Sequence, residues 1–196
     1  MFEQTAESEL DRLMKAVSWG DQRAFSALYD LTCGKVHGLV SYILKDDALA
    51  EEVTLDTYLQ VWQRAGDYQS ERASPLAWLM MIARSRAIDR LRAQRSYPLF
   101  CDGQSHDDDL IDPLGPPDET VISDERCHDV RRCFTQLDSV QRQVLAVAFF
   151  RGLSHTEIAL HCGMPLGTVK THIRQAMARL KGLLAEHSDV NHRDGS

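Results

Sequence analysis

Residues 154–184, SHTEIALHCGMPLGTVKTHIRQAMARLKGLL, constrain what this chain can fold into more than any other stretch. Ser154 and Glu157 have the S-x-x-E spacing of a capping box, which predicts a helix start. Ala159 is small where two helices must approach closely. Gly163 follows four residues later, where a tight inter-helix turn calls for positive φ. Val169 comes six residues after that and plugs the pair together. From Val169 the apolar positions Ile173, Ala176, Leu180 and Leu184 recur at helical spacing. The other face carries Lys170, Thr171, Arg174 and Gln175, with His172 beside them and Thr168 near the helix start. Donors and positive charge suit phosphates and the base edges of a major groove. An amphipathic helix alone fits an ordinary hairpin with a solvated basic face equally well. The capping box, small residue, glycine and valine together favour a DNA-binding helix-turn-helix.

A net charge of −7 argues against a nucleic-acid binder until its distribution is read. Residues 102–125 hold nine acidic residues and no Lys or Arg, and the rest of the chain holds 22 basic against 20 acidic residues. Residues 126–196 carry ten basic and six acidic residues. Screening confines surface fields to about 10 Å, so local charge outweighs the total. Apolar content of 43% supports a packed core in 196 residues. No apolar run approaches the ~18 residues that span a bilayer, and the acidic N-terminus MFEQTAESELDRL has no apolar signal region. A cytoplasmic location with no direct membrane insertion is expected. Cys33, Cys101, Cys127, Cys133 and Cys162 are odd in number, irregularly spaced and without C-x-x-C, which argues against a disulfide framework. Cys127 beside His128 leaves zinc binding or redox sensing open next to the simpler reading as small buried thiols. No cofactor and no metal site is expected.

The chain reads as all-α: a helical block at 8–95, an acidic proline-containing linker at 96–122, and a second helical block at 123–186. In the first block, helices are expected over about 8–18, stopped by Gly20; from Asp21 as cap to about Leu44; from about Ala48 to Ala65, ended by Gly66; and from Ser74, with Pro75 at the first position, to about Arg95. The linker holds four prolines and the run Asp107–Asp109, a poor core and a mobile connection. In the second block a helix is expected over about 123–136. Another, capped by Asp138 or Ser139, reaches Phe149–Phe150, and Gly152 breaks it. The tail HSDVNHRDGS is expected to fray.

The third and fourth helices each present an interpretable face. In EEVTLDTYLQVWQRA, Val53, Tyr58, Val61 and Trp62 are placed in the core, and Glu52, Asp56, Thr57, Gln60 and Gln63 outside. A solvated amphipathic helix and a protein-docking surface both fit that pattern. The fourth helix, PLAWLMMIARSRAIDRLRAQR, sets Arg84, Arg86, Arg90, Arg92 and Arg95 against Asp89 alone, with Trp78 and Met81 before them and Tyr68 in the preceding loop. Aromatic rings beside arginines suit unpaired bases, the rings stacking on bases while guanidiniums hold phosphates. Trp78, Leu79 and Ile82 also have core spacing, so Trp78 is divided between the two roles.

Three motifs in order, EEVTLDTYLQVW, DYQSERASPLAWLMMIARSRAIDRLR and LDSVQRQVLAVAFFRGLSHTEIALHCGMPLGTVKTHIRQAMARL, resemble the extracytoplasmic-function sigma factors of bacterial RNA polymerase. The resemblance covers about residues 10–95 and 123–185, and AWL in the fourth helix is similar to sigma-K-like members. It implies a promoter-specificity subunit with no catalysis of its own. Glu52, Asp56 and Gln60 would dock on the clamp helices of the largest polymerase subunit, and the second-largest subunit would be a further partner. Tyr68, Trp78, Met81 and Ser85 would meet the −10 strand, with Arg84, Arg90 and Arg92 on its backbone. Thr168, Lys170, Thr171, His172, Arg174 and Gln175 would read the −35 element. The linker would thread the polymerase, and an anti-sigma protein would hold the factor inactive. Leu55 stands where the family usually has glutamine, which removes a polar contact expected with the clamp, and Ser85 stands where it often has asparagine, which changes the base contacts expected there; Gln175 and Met177 stand where arginine is frequent, so readout of the −35 element is expected to be weaker or altered. An autonomous helix-turn-helix regulator would need a dimer interface or effector pocket, and the sequence signals neither. A metal-dependent enzyme lacks H-E-x-x-H, a glycine-rich phosphate loop and a nucleophile elbow.

Overall fold

The computed structural model describes the backbone of residues 2–95 and 132–191, and the side chains of residues 9–94 and 132–184. The linker at 96–122, the first part of the helix expected over 123–136, the Arg95 side chain, Cys101, Cys127 and His128 lie outside the described residues. The described residues form helices, turns and connecting coil and fall into two compact units, one within 2–95 and one within 132–191.

In the first unit, α1 (Phe2–Ser18), α2 (Gln22–Leu44), α3 (Asp47–Arg64) and α4 (Pro75–Arg95) pack around α2, and α3 also packs along α4. Each start has a local cause. Asp21 Oδ1 accepts from the backbone N–H groups of Arg23 at 2.8 Å and Ala24 at 3.1 Å. Asp46 Oδ1 accepts from Leu49 N–H at 3.0 Å. Ser74 Oγ accepts from Ala77 N–H at 3.4 Å ahead of Pro75. These caps satisfy amides that the helix itself cannot. The α1 helix begins six residues before the expected position 8, because nothing in FEQTAE breaks a helix. Gly20, at φ +83°, turns the chain out of α1. The α3 helix ends at Arg64, just before Gly66. The chain then tightens into a 3-10 turn at Ala65–Asp67.

The core of this unit joins Met14 and Val17 of α1, Leu28, Val36 and Val40 of α2, Val53 and Val61 of α3, and Leu79, Ala83 and Ala87 of α4. Burying each of the larger apolar side chains contributes about 1.5–3 kcal/mol. Val53, Tyr58 and Val61 are buried as expected, and half-buried Trp62 sets its ring edge-to-face with Phe25 at 5.1 Å. Thr57 is not on the outer face. It is fully buried, because its Oγ1–H donates to the Val53 carbonyl at 2.8 Å and so enters the core with its polar group satisfied. Thr32 does the same with Leu28 O at 2.6 Å and also pairs with the Tyr58 hydroxyl at 2.7 Å. Leu55 and Leu59 instead face solvent.

In the second unit, α5 (Ser139–Phe150), α6 (His155–His161) and α7 (Leu166–Asn191) follow a helical segment at 132–135. Asp138, rather than Ser139, caps α5 by accepting from Gln141 N–H at 2.8 Å. Val144, Val147, Ile158 and Val169 form one buried cluster, with Ala159 and Ile173 against it. Leu137, Leu145 and Ala176 form a second, with Phe134 and Leu180 against it. The α7 helix continues to Asn191, into the tail expected to fray, since Ala185 and Glu186 favour helix and no Pro or Gly follows before 192.

Candidate functional site

The turn between α6 and α7 is built locally. Ser154 and Glu157 close the capping box: Ser154 N–H donates to Glu157 Oε2 at 2.7 Å, and Glu157 N–H donates to Ser154 Oγ at 3.3 Å. Gly163, at φ +62°, provides the left-handed turn, and Met164 N–H reaches the Ala159 carbonyl at 3.0 Å. Fully buried Ile158 and Val169 join the two helices. This fixes which side of α7 faces out. Lys170, Thr171, Arg174 and Gln175 are exposed, while Thr168 and His172 are half-buried and His172 Nδ1 is turned away from solvent. Thr171 Oγ1–H donates to the Gly167 carbonyl at 2.9 Å, so the hydroxyl offers an incoming group only its acceptor side and its methyl.

In the first unit the outward stripe of α3 and one stripe of α4 interlock. Arg86 Nε–H donates to Gln60 Oε1 at 2.7 Å, and its Nη1 lies 3.4 Å from Asp56 Oδ2. Arg90 Nη2 lies 3.5 Å from Glu52 Oε2. These pairs line a groove of about 800 Å³ that also takes in Trp78, Met81 and Ser85. All three residues expected to dock polymerase, and four of those expected to meet the −10 strand, therefore share one depression. Met81 and Ser85 are exposed, and Trp78 is half-buried.

Tyr68, Arg84 and Arg92 are not part of that lining. The Tyr68 hydroxyl donates to Asp11 Oδ1 at 2.7 Å, with the Ala73 carbonyl at 3.0 Å as a second acceptor, and its ring stands edge-on to Trp78 at 5.8 Å. Burial first, and then the nearby charge of Arg92, push the Arg84 guanidinium below its ordinary value. The α4 arginines whose side chains are described thus form two sets: Arg84 near Arg92, and Arg86 with Arg90 turned to α3. Arg90, grouped by sequence with the DNA-backbone set, is placed in the second.

Comparison with known proteins decides what such an arrangement belongs to. Sigma-70 region 2 matches residues 28–97, and sigma-70 region 4 matches residues 127–180. The ECF RNA polymerase sigma factor SigK of Mycobacterium ulcerans (strain Agy99) is 35% identical over 178 residues, which cover 90% of this chain and 94% of that one. This chain belongs to the extracytoplasmic-function sigma factors. SigK of Mycobacterium tuberculosis (strain ATCC 25177 / H37Ra) is likewise 35% identical over 179 residues, covering 90% and 94% of the two chains. Among solved structures, Rhodobacter sphaeroides SigE in complex with the anti-sigma ChrR is 34% identical and covers 90% of this chain and 98% of that one, with a TM-score of 0.45.

As a sigma factor the protein directs promoter-specific transcription initiation with RNA polymerase and carries out no catalytic step of its own. No helix among its described residues is long and apolar enough to cross a membrane. Sequence reasoning missed Arg86 as a partner of α3. The signal was available: Glu52, Asp56 and Gln60 recur every four residues, and so do Arg86 and Arg90. Two complementary stripes of one period are what adjacent helices need for cross-pairing. It also missed Asp11, which has no local motif.

Proposed function

We propose that this sigma factor docks on the clamp helices of the largest polymerase subunit through Glu52, Asp56 and Gln60, and that α4 and the loop before it take the −10 strand. The observation that carries this reading is the shared groove, in which the Glu52, Asp56 and Gln60 stripe of α3, braced by Arg86 and Arg90, adjoins Trp78, Met81 and Ser85. Exposed Leu55 and Leu59 flank the acidic stripe and offer a partner an apolar anchor. Tyr68 and Trp78 supply ring faces for an unstacked base, and Arg84 and Arg92 supply charge for its backbone. Unstacking costs a few kcal/mol, which stacking and phosphate contacts offset.

In the second unit, Lys170, Arg174 and Gln175 are exposed on one side of α7 and suit the major groove of the −35 element. Exposed Thr171 lies on the same side, and half-buried Thr168 and His172 contribute at its border. Neither unit needs high affinity alone, since tethering through polymerase raises the effective concentration of the other. The second-largest subunit as a further contact, control by an anti-sigma protein and action in the cytoplasm belong to the same proposal.

The test is transcription with purified bacterial core polymerase over a library of genomic promoter fragments. New starts preceded by shared −10 and −35 elements are expected. Lys170→Ala with Arg174→Ala should lower promoter-dependent transcription by roughly tenfold or more, at about 1–3 kcal/mol per lost base or phosphate contact, with core binding retained. Tight duplex binding by the protein alone, with no core binding and no starts, would establish an autonomous regulator instead.

A further inference from the structure

Arg86 stands where the two functional stripes meet. Its guanidinium has donors only, so the Gln60 oxygen must be the atom that faces it at 2.7 Å. That contact fixes which end of the Gln60 amide faces Arg86 and leaves its nitrogen as a donor for another acceptor. The 3.4 Å approach to Asp56 Oδ2 occupies one carboxylate oxygen and leaves Oδ1 to accept from elsewhere. One side chain thereby sets the orientation of two neighbours. It also relieves an electrostatic fault in α3, where Glu52 and Asp56 are like charges four residues apart and repel. Arg86 and Arg90, placed at the same interval on α4, interleave a positive charge with each. The planar fork is what permits simultaneous contacts to an amide and a carboxylate, and a lysine ammonium has no such geometry. Arg86 is also itself half-buried, with Nε–H and Nη1 both directed at partners on α3.

We propose that Arg86 is a positioning residue for polymerase docking: it holds Asp56 and Gln60 in the orientation that a core-polymerase surface meets, and it acts through them rather than on DNA. This rests on the reading of α3 as the docking face.

The test uses the full-length protein and bacterial core polymerase, with core affinity from fluorescence titration and −10 strand opening in the reconstituted holoenzyme. Arg86→Met keeps the aliphatic stem and removes the fork. It should weaken core binding roughly three- to tenfold, the scale of a half-exposed charged contact. Arg86→Lys should recover part of that loss. In an Asp56→Ala, Gln60→Ala background, Arg86→Met should cost little more, since its effect passes through those two side chains. Thermal melting of each variant separates a folding defect from a docking defect. An equal loss in both backgrounds would overturn the proposal. So would unchanged core affinity with loss of strand opening, which would make Arg86 a DNA ligand. If Asp56→Ala with Gln60→Ala leaves core affinity intact, the docking reading itself fails, and that result is distinct from a failure of Arg86 alone.

Discussion

The two units present their functional faces by different means. In the C-terminal unit the face is the outward side of one helix, oriented by apolar packing behind it: Ile158, Val169 and Ala176 decide where Lys170 and Arg174 point. In the N-terminal unit the face is composite. Side chains from α3 and α4 hold one another across a groove, and behind them the core itself contains hydroxyl groups, Thr32, Thr57 and Tyr58. A face of the first kind tolerates change in its exposed residues without rearrangement. A face of the second kind couples its residues, so replacing one changes what its neighbours present.

Three substitutions break or sharpen this contrast, and the largest effect belongs to the apolar support. Ile158→Ala should destabilise the C-terminal unit by about 3 kcal/mol through cavity formation. Hydrogen exchange should accelerate across α5–α7, with the amides of α1–α4 as internal reference. Unchanged exchange there would show that the helix pair is not held by this plug.

Tyr58→Phe addresses the polar core of the other unit. It leaves the Thr32 oxygen without its 2.7 Å partner and should cost about 1–2 kcal/mol in denaturant melts. Its pH dependence is more diagnostic. Burial raises the Tyr58 phenol above its ordinary 10.0, with the Thr32 hydrogen bond acting in the opposite direction. The fold therefore favours the neutral phenol. The stability this supplies is whole below pH 10 and falls as the pH rises past 10 towards the folded value. The phenylalanine variant should show a shallower alkaline loss than wild type, and parallel curves would remove Tyr58 as the cause.

Ser154→Ala should have the smallest effect, about 0.5–1 kcal/mol, because its capping bond is exposed and Glu157 can still reach the Ser154 position's N–H. Faster exchange confined to the first turn of α6 would mark it.

The same contrast explains what was legible in the sequence. The helix-turn-helix depends on interactions a few residues apart, so the capping box, the turn at Gly163 and the inward Val169 could all be read directly. The caps Asp21 and Ser74 were legible for that reason too. Thr57 was misplaced because polarity was read as exposure, whereas a threonine that donates to the carbonyl one turn back carries no unsatisfied hydroxyl into a core. Its place outside is taken by Leu55 and Leu59, which no packing argument within α3 would have expelled. The split of the α4 arginines into two sets required knowing that α3 lies alongside, a pairing that joins positions 26 to 38 apart in the chain. The tie between Tyr68 and Asp11 was illegible for the same reason, at 57 residues' separation.

That tie has a thermodynamic consequence for the loop it anchors. Ordering a free loop residue costs about 1–2 kcal/mol of conformational entropy, and a loop pinned through Tyr68 to α1 has surrendered part of that freedom during folding. A base arriving at this loop meets a surface already in place, and less of its binding energy goes into organising the receptor. Under the promoter reading, a lesion at Asp11 would then register as a kinetic defect in strand opening, from a helix that need never touch DNA.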